Sequence, residues 1–400
     1  MSQSKKAKST PGSEQRIETR LMHVGRNPSE YYGFVNPPLY RGSTILYPSV
    51  EKLKAKNQKY TYGRRGSPTV RALEEAISEL ESGAHTVSTS SGLSACATTL
   101  LAFTSAGGHI LVADSVYQPI RIICERTLRR YDVDITYYDP LIGDGIVDLI
   151  QDNTQIVYTE TPASQTFEMQ DLRAVADATH TRNRNIVVVA DNTWGTPLYY
   201  NPLKLGADAV IHAGTKYFGG HADVNLGTVT TTAALAEQLR LTHGDLGQNP
   251  GPEDAQLCLR GLRTLAIRME HHWRSGLEIA DWLDARPEVE RVLHPARKDH
   301  PGHEIWKRDF TGAGGLFSIV LNRCSDTAVA AMLDGLELFG MGASWGGYES
   351  LALPFDPANY RSATRWDAEG PAIRFFIGLE NVDDLKADLD AGFARLRAAG

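Results

Sequence analysis

Asp191 and Lys216, 25 positions apart, are the two residues around which a reaction can be built. Asp191 closes the apolar run Ile186-Val-Val-Val-Ala190, and ligands of open α/β sheets collect at the carboxyl ends of the strands. Taken alone, Asp191-Asn-Thr193 is better explained as turn or capping chemistry. Lys216 stands in Ala213-Gly-Thr-Lys-Tyr217, directly after the apolar run 209–212. Most lysines are solvated surface charges. One flanked by small residues at the exit of a buried strand can have its amine pKa lowered and become a Schiff-base nucleophile. An acid for a protonated pyridine nitrogen and a lysine for an aldehyde are the protein groups that a pyridoxal-type cofactor demands.

Further groups fit such a ligand. Ser90-Ser-Gly-Leu93 reads as a strand-to-helix turn whose free N–H groups favour an anion, although an ordinary N-cap has the same residues. Tyr62 and Arg64, in Tyr60-Thr-Tyr-Gly-Arg-Arg-Gly66, could add a hydroxyl and a guanidinium, and Arg-Arg in a glycine-rich loop is otherwise a solvated patch. Arg374 interrupts the apolar run 372–378 and needs an anion there, either a ligand carboxylate or a structural acid, with even weight on each.

Three rival chemistries are weaker. Gly342-Ala-Ser-Trp-Gly346 formally matches the G-x-S-x-G elbow of serine hydrolases, but no histidine follows His303 to complete a triad. His300-Pro-Gly-His-Glu304 and the His271-His272 pair lack a third metal ligand at convincing spacing. A non-catalytic scaffold has no use for Lys216, Asp191 and Arg374 together.

The elements that position these residues follow from the pattern. Short apolar runs at 86–89, 110–113, 135–138, 156–159, 186–190 and 209–212, mostly separated by helix-length segments, predict a largely parallel α/β sheet. A long helical stretch is expected from Asp254 toward Leu283, then a smaller α+β domain whose strands at 315–321 and 372–378 bracket a loop-rich segment. The expected division is a tail and arm over 1–60, a cofactor-binding α/β domain over 61–260 and an α+β domain over 261–400. Within the arm, residues up to about Gln15 read as a mobile tail and the remainder as extended chain with little regular structure.

The chain has 400 residues, 42% hydrophobic and 22% charged, with a formal net charge of -7, which disfavours a nucleic-acid partner. No apolar run approaches the roughly 20 residues of a membrane helix, and no apolar signal core follows the first residues, so a cytoplasmic location is expected. Cys96, Cys124, Cys258 and Cys324 are far apart and read as reduced structural thiols.

Several motifs, in order, closely resemble cystathionine β-lyases of the Cys/Met-metabolism family of fold-type-I pyridoxal-phosphate enzymes. They include Tyr62-Gly-Arg-Arg-Gly66, Asp139-Pro-Leu-Ile-Gly143, Asp191-Asn-Thr-Trp194, Gly214-Thr-Lys-Tyr217 with Gly220-His-Ala-Asp223, Arg260-Gly-Leu-Arg-Thr264, Trp306-Lys-Arg-Asp-Phe-Thr311, Ser344-Trp-Gly-Gly-Tyr-Glu-Ser350 and Ile377-Gly-Leu-Glu380. The resemblance runs from about Ile17 to the C-terminus. It implies an aspartate-aminotransferase-like fold, with pyridoxal 5'-phosphate held by Lys216, which then acts as base at Cα and as acid toward the leaving sulfur. It further implies that Asp191 pairs with the pyridinium and that Tyr117 stacks on the ring. Gly92, Leu93 and Thr215 would surround the phosphate, with Tyr62 and Arg64 arriving from a neighbouring subunit. Arg374 would bind the substrate carboxylate beside Ser344 and Trp345.

The implied reaction is β-elimination of L-cystathionine, an amino-acid thioether, to homocysteine, pyruvate and ammonia by a homo-oligomer, a dimer of dimers. Related alternatives are β-elimination from another cysteine S-conjugate, γ-elimination and γ-replacement. The sequence departs from the usual pattern at Ala343, where a tyrosine is common, at Ala222, at Glu160-Thr-Pro-Ala-Ser164, and at Ile122, where some relatives carry an acid. Ala343 should enlarge the pocket.

Overall fold

The computed structural model describes residues 15–400. Its main sheet has seven strands in the order β1-β7-β6-β5-β4-β2-β3. They are β1 (His85–Thr89), β2 (His109–Ala113), β3 (Asp134–Tyr138), β4 (Thr154–Glu160), β5 (Val187–Asp191), β6 (Ala209–Ala213) and β7 (Gly227–Thr231). Strands β2 to β6 are mutually parallel, and β7 runs antiparallel to both β1 and β6. Helices cover both faces, so Val187, Val188, Val189 and Ala190 are all buried and the strand reads as a continuous apolar run instead of an alternating one. Val188 and Ala190 belong to one core and Val187 and Val189 to the other.

The second sheet has four antiparallel strands, ordered β10-β11-β9-β8: β8 (Val289–Leu293), β9 (Leu316–Leu321), β10 (Leu351–Phe355) and β11 (Ala372–Phe376). The helices Asp326–Leu333 and Val382–Ala399 share a separate core with it, in which Phe317, Phe375 and Phe393 are fully buried.

Several expectations need correction. The loop-rich segment between β9 and β11 also holds the helix Asp326–Leu333 and strand β10. The long helical stretch is two helices, Pro252–Leu262 and Leu265–Asp284, interrupted at Arg263 and Thr264. There Thr264 leaves the helical conformation, with φ -108° and ψ 6°, and the Arg263 side chain donates to the carbonyls of Leu21 and Val24. The arm is also more ordered than expected: it carries the helix Ile17–His23, anchored by that contact and by buried Leu21, and the helix Val50–Ala55. The proposed mobile tail lies almost wholly outside the described residues. Elsewhere the arm leaves Tyr32 99% and Leu46 84% exposed. No described helix is long and apolar enough to cross a membrane.

Candidate active site

The register of the main sheet creates the centre of the site. The last residue of β4, Glu160, lies opposite the last residue of β5, Asp191, so two carboxylates leave adjacent parallel strands side by side. Burial raises the pKa of both, and two close carboxylates resist double ionisation. Their donors are unequal. Asp191 Oδ1 accepts from the Thr193 N–H (2.9 Å) and the Thr193 hydroxyl (2.6 Å), whereas Glu160 accepts only the Tyr117 N–H, at 2.8 Å on Oε2. Hydrogen bonds favour the charged form. Asp191 is therefore the anion, and Glu160, pushed well above the usual carboxylate range by burial and by the charge of Asp191, holds the proton.

Thr193 does more than hold Asp191. Its hydroxyl oxygen also accepts the N–H of Ala213 at 2.9 Å, which ties Asp191 to the last residue of β6. Three residues on, the turn presents Lys216. Its amine donates to Ser344 Oγ at 2.6 Å and lies 5.5 Å from the centre of the Trp345 ring. Burial, reinforced by the charge of Arg374, lowers its pKa from 10.5 to about 8. The close approach of the Ser344-Trp-Gly segment depends on Gly346, whose φ is +85° and where a Cβ would sit 3.0 Å from the Lys216 Cα.

Arg374 occupies the middle of β11, opposite Ser318 of β9. Its buried guanidinium donates to the carbonyls of Gly342 (3.2 Å) and Ser344 (3.1 Å), and among the described residues no carboxylate pairs with it. Burial pulls its pKa down to about 10. Arg374, Trp345, Asp191, Thr193 and Glu160 line one cavity. A buried cation without a protein counter-ion, facing such a cavity, is arranged to receive an anionic ligand.

Gly92 and Leu93 open the helix Gly92–Phe103, capped by the Ser91 side chain, which accepts from the Ser94 N–H at 3.1 Å. A Cβ on Gly92 would lie 2.5 Å from that of Ala213, so the missing side chain lets the helix start abut the strand end that precedes Lys216. First-turn N–H groups have no partner within a helix and are available to a phosphate. Tyr117 is the residue before the helix Gln118–Arg126 and is 45% exposed. The Thr215 hydroxyl is occupied in joining the turn to Leu226, donating to its carbonyl (3.3 Å) and accepting its N–H (3.0 Å). Tyr62 and Arg64 stand apart: Arg64 donates to the Gly244 carbonyl, and neither shares a hydrogen bond or that cavity with Lys216, Asp191 or Arg374.

The structure thus brings Lys216, Asp191, Arg374, Ser344 and Trp345 together. Glu160 and Thr193 belong with them; the sequence presents each only within a motif, Glu160-Thr-Pro-Ala-Ser164 and Asp191-Asn-Thr-Trp194, and only strand register reveals the neighbour of Glu160. Ser344 lies in an irregular loop with Lys216 as its hydroxyl partner, so no hydrolase elbow exists around it. His272 is buried with Nδ1 on the Ile377 carbonyl, and no group of three potential metal ligands occurs among the described residues. All four cysteines are free.

An amine of lowered pKa, a carboxylate with Oδ2 left over from its protein hydrogen bonds, and an anion-favouring helix start fit the aldehyde, pyridinium and phosphate of pyridoxal phosphate. Comparison with known proteins agrees. A Rhizobium johnstonii protein is 49% identical over 386 residues, covering 96% of this chain and 97% of its own length. The cystathionine beta-lyase MetC of Escherichia coli is 41% identical over 392 residues, 96% of this chain and 99% of that protein. The solved cystathionine gamma synthase of Xanthomonas oryzae pv. oryzae, in complex with aminoacrylate and cysteine, superimposes with a TM-score of 0.88 at 32% identity, covering 97% of this chain and all of that one. A family profile described as Cys/Met metabolism PLP-dependent enzyme matches residues 18–394, and the chain belongs to that family of pyridoxal-phosphate enzymes.

Proposed function

We propose that this chain is a carbon–sulfur β-lyase that cleaves L-cystathionine to homocysteine, pyruvate and ammonia. The observation that carries the reading is the unpaired guanidinium of Arg374 facing the same cavity as Asp191, with the Lys216 amine beside its loop. Similarity to the E. coli cystathionine beta-lyase selects the substrate and the β-position.

Lys216 would hold the aldehyde, Asp191 the pyridinium nitrogen, and Gly92 and Leu93 the phosphate. When bound, the cofactor supplies an electron sink that acidifies the substrate Cα–H bond. Arg374 grips the α-carboxylate and fixes which bond at Cα faces the lysine. Lys216 Nζ, held by Ser344 Oγ, takes the Cα proton as general base and returns a proton to the departing sulfur. Tyr117, at the start of the helix Gln118–Arg126, would stack on the ring, and the Trp345 ring lies 5.5 Å from the lysine amine.

Tyr62 and Arg64 would act in a neighbouring copy, which requires at least a homodimer; family resemblance extends this to a dimer of dimers. The exposed apolar arm supports that assembly. We assign 61–260 to cofactor binding and 261–400 to a unit that closes on the substrate, a division supported by the two separate sheets. We also assign the enzyme to the cytoplasm.

The test is a single reaction with L-cystathionine, assayed for pyruvate and free thiol. Equal yields of both are expected, and Lys216→Ala should abolish them together with the yellow colour of the loaded protein. Thiol accompanied by 2-oxobutyrate instead of pyruvate would move the chemistry to the γ-position.

A further inference from the structure

Asp114 lies three residues before Tyr117, at the end of β2, and is fully buried. Its carboxylate collects the donors of a segment that belongs to the other sheet. The N–H groups of Ser362 (3.0 Å to Oδ1), Ala363 (3.0 Å to Oδ2) and Thr364 (2.8 Å to Oδ2) converge on it. The hydroxyls of Thr364 (2.8 Å) and Ser362 (3.3 Å) join them, and Arg121 forms an ion pair with it. Three successive backbone N–H groups aimed at one oxyanion form a nest, and here the anion comes from the protein itself.

These donors sit in residues 356–371, the connection between β10 and β11. Most hairpin connections need only a few residues, and connections of this length are usually functional. The same segment is tied on its other edge. Tyr360 donates to Gln165 Oε1 at 2.8 Å, and Arg361 reaches Thr166 Oγ1 at 2.6 Å and Glu168 at 2.7 Å. Gln165 lines the cavity with Glu160, Asp191 and Arg374, and its carbonyl accepts the hydroxyl of Ser318, the residue opposite Arg374. The contacts run in series from Arg374 through Ser318, Gln165 and Tyr360 to Asp114, and from the Tyr117 turn to Glu160, which lines the same cavity as Arg374.

We propose that Asp114 is a positioning residue, which straps residues 360–364 onto the turn carrying Tyr117 and so fixes Tyr117 relative to the carboxylate site at Arg374. The inference rests on the proposed lyase reading for its kinetic consequence, but the strap itself can be measured without catalysis. Asp114→Asn keeps one acceptor oxygen and gives up the charge, so Ala363, Thr364 and Arg121 lose their anionic partner.

Hydrogen–deuterium exchange on the cofactor-loaded full chain reads the result. In Asp114→Asn, peptides covering 357–366 and 114–118 should both exchange at least about 10-fold faster than wild type, because a buried charge-assisted hydrogen bond exceeds a factor of ten. The KM for L-cystathionine should rise more than kcat falls, whereas loss of folded protein alone would leave KM where it is. Exchange at the wild-type rate in 357–366 overturns the proposal, as does a loosened strap with 114–118 still protected or with KM unchanged. If no thioether is turned over, the lyase reading fails, and the paired exchange of the two segments still decides on Asp114. If Asp114→Asn does not fold, the double variant Ser362→Ala, Thr364→Val removes only the strap hydroxyls. It should loosen both segments in the same direction, and unchanged exchange there overturns the proposal.

Discussion

The amine of Lys216 in the cofactor-free protein should titrate near pH 8, far below an ordinary lysine at 10.5, because burial and then the charge of Arg374 disfavour its protonated form. At pH 7 such an amine is roughly one-tenth neutral, against about one part in 3,000 for an unperturbed lysine. The same difference is a stability statement. Between pH 8 and 10.5 the unfolded chain binds the proton and the folded chain does not, so folding stability rises with pH across that window. At neutral pH the penalty is up to about 3 kcal/mol at 1.36 kcal/mol per pKa unit. Competitive acetylation with trace acetic anhydride, followed by quantitation of the Lys216 peptide, reads the midpoint directly. Arg374→Met should move the midpoint upward, and Lys216→Met should stabilise the cofactor-free protein at pH 7 but not near pH 10.5. A Lys216 midpoint that coincides with those of surface lysines would refute the electrostatic account of this residue.

Two further substitutions probe the partners. Thr193→Val removes the 2.6 Å hydroxyl bond that favours the charged form of Asp191; the Asp191 pKa should rise, and the acid limb of the visible spectrum of the loaded enzyme should move to higher pH. An unmoved limb would mean that Thr193 does not govern that charge. Arg374→Met deprives the substrate carboxylate of its partner, a loss of about 2–5 kcal/mol, and steady-state kinetics should show kcat/KM down roughly 30-fold to several-thousand-fold, mostly through KM.

The parallel sheet was legible because strands buried on both faces are continuous apolar runs. Strand β7, Gly-Thr-Val-Thr-Thr, escaped for the opposite reason: its buried threonines give no apolar run, although Thr228, Thr230 and Thr231 are fully enclosed. Strand β10 carries Pro354, which argues against a central strand, and it is indeed an edge strand of its sheet. Lys216, Asp191 and Arg374 could be found because each interrupts, ends or closely follows an apolar run. Glu160 and Asp114 could not, since each acts through a partner that only register or a distant loop supplies: Asp191 for Glu160 and residues 362–364 for Asp114. Thr193 lies between: its bonds to Asp191 are local, and its link to Ala213 comes from register.

The carboxylate pair shows how that long-range placement becomes chemistry. Parallel pairing brings Glu160 and Asp191 to the same level at the carboxyl ends of two central strands, and burial alone would leave it open which of them is ionised. The local sequence breaks the tie, because the Asp191-Asn-Thr193 turn gives Asp191 two donors from one threonine while Glu160 receives one from the main chain. The anion consequently sits on β5, next to the strand that leads to Lys216, where a pyridinium can meet it. The neutral acid sits on β4, where it holds the turn of Tyr117 without adding a second negative charge. Exchanging the donors between the two strand ends would put the charge beneath Tyr117 and leave the ring nitrogen without its counter-ion, although every carboxylate in the site would still be present.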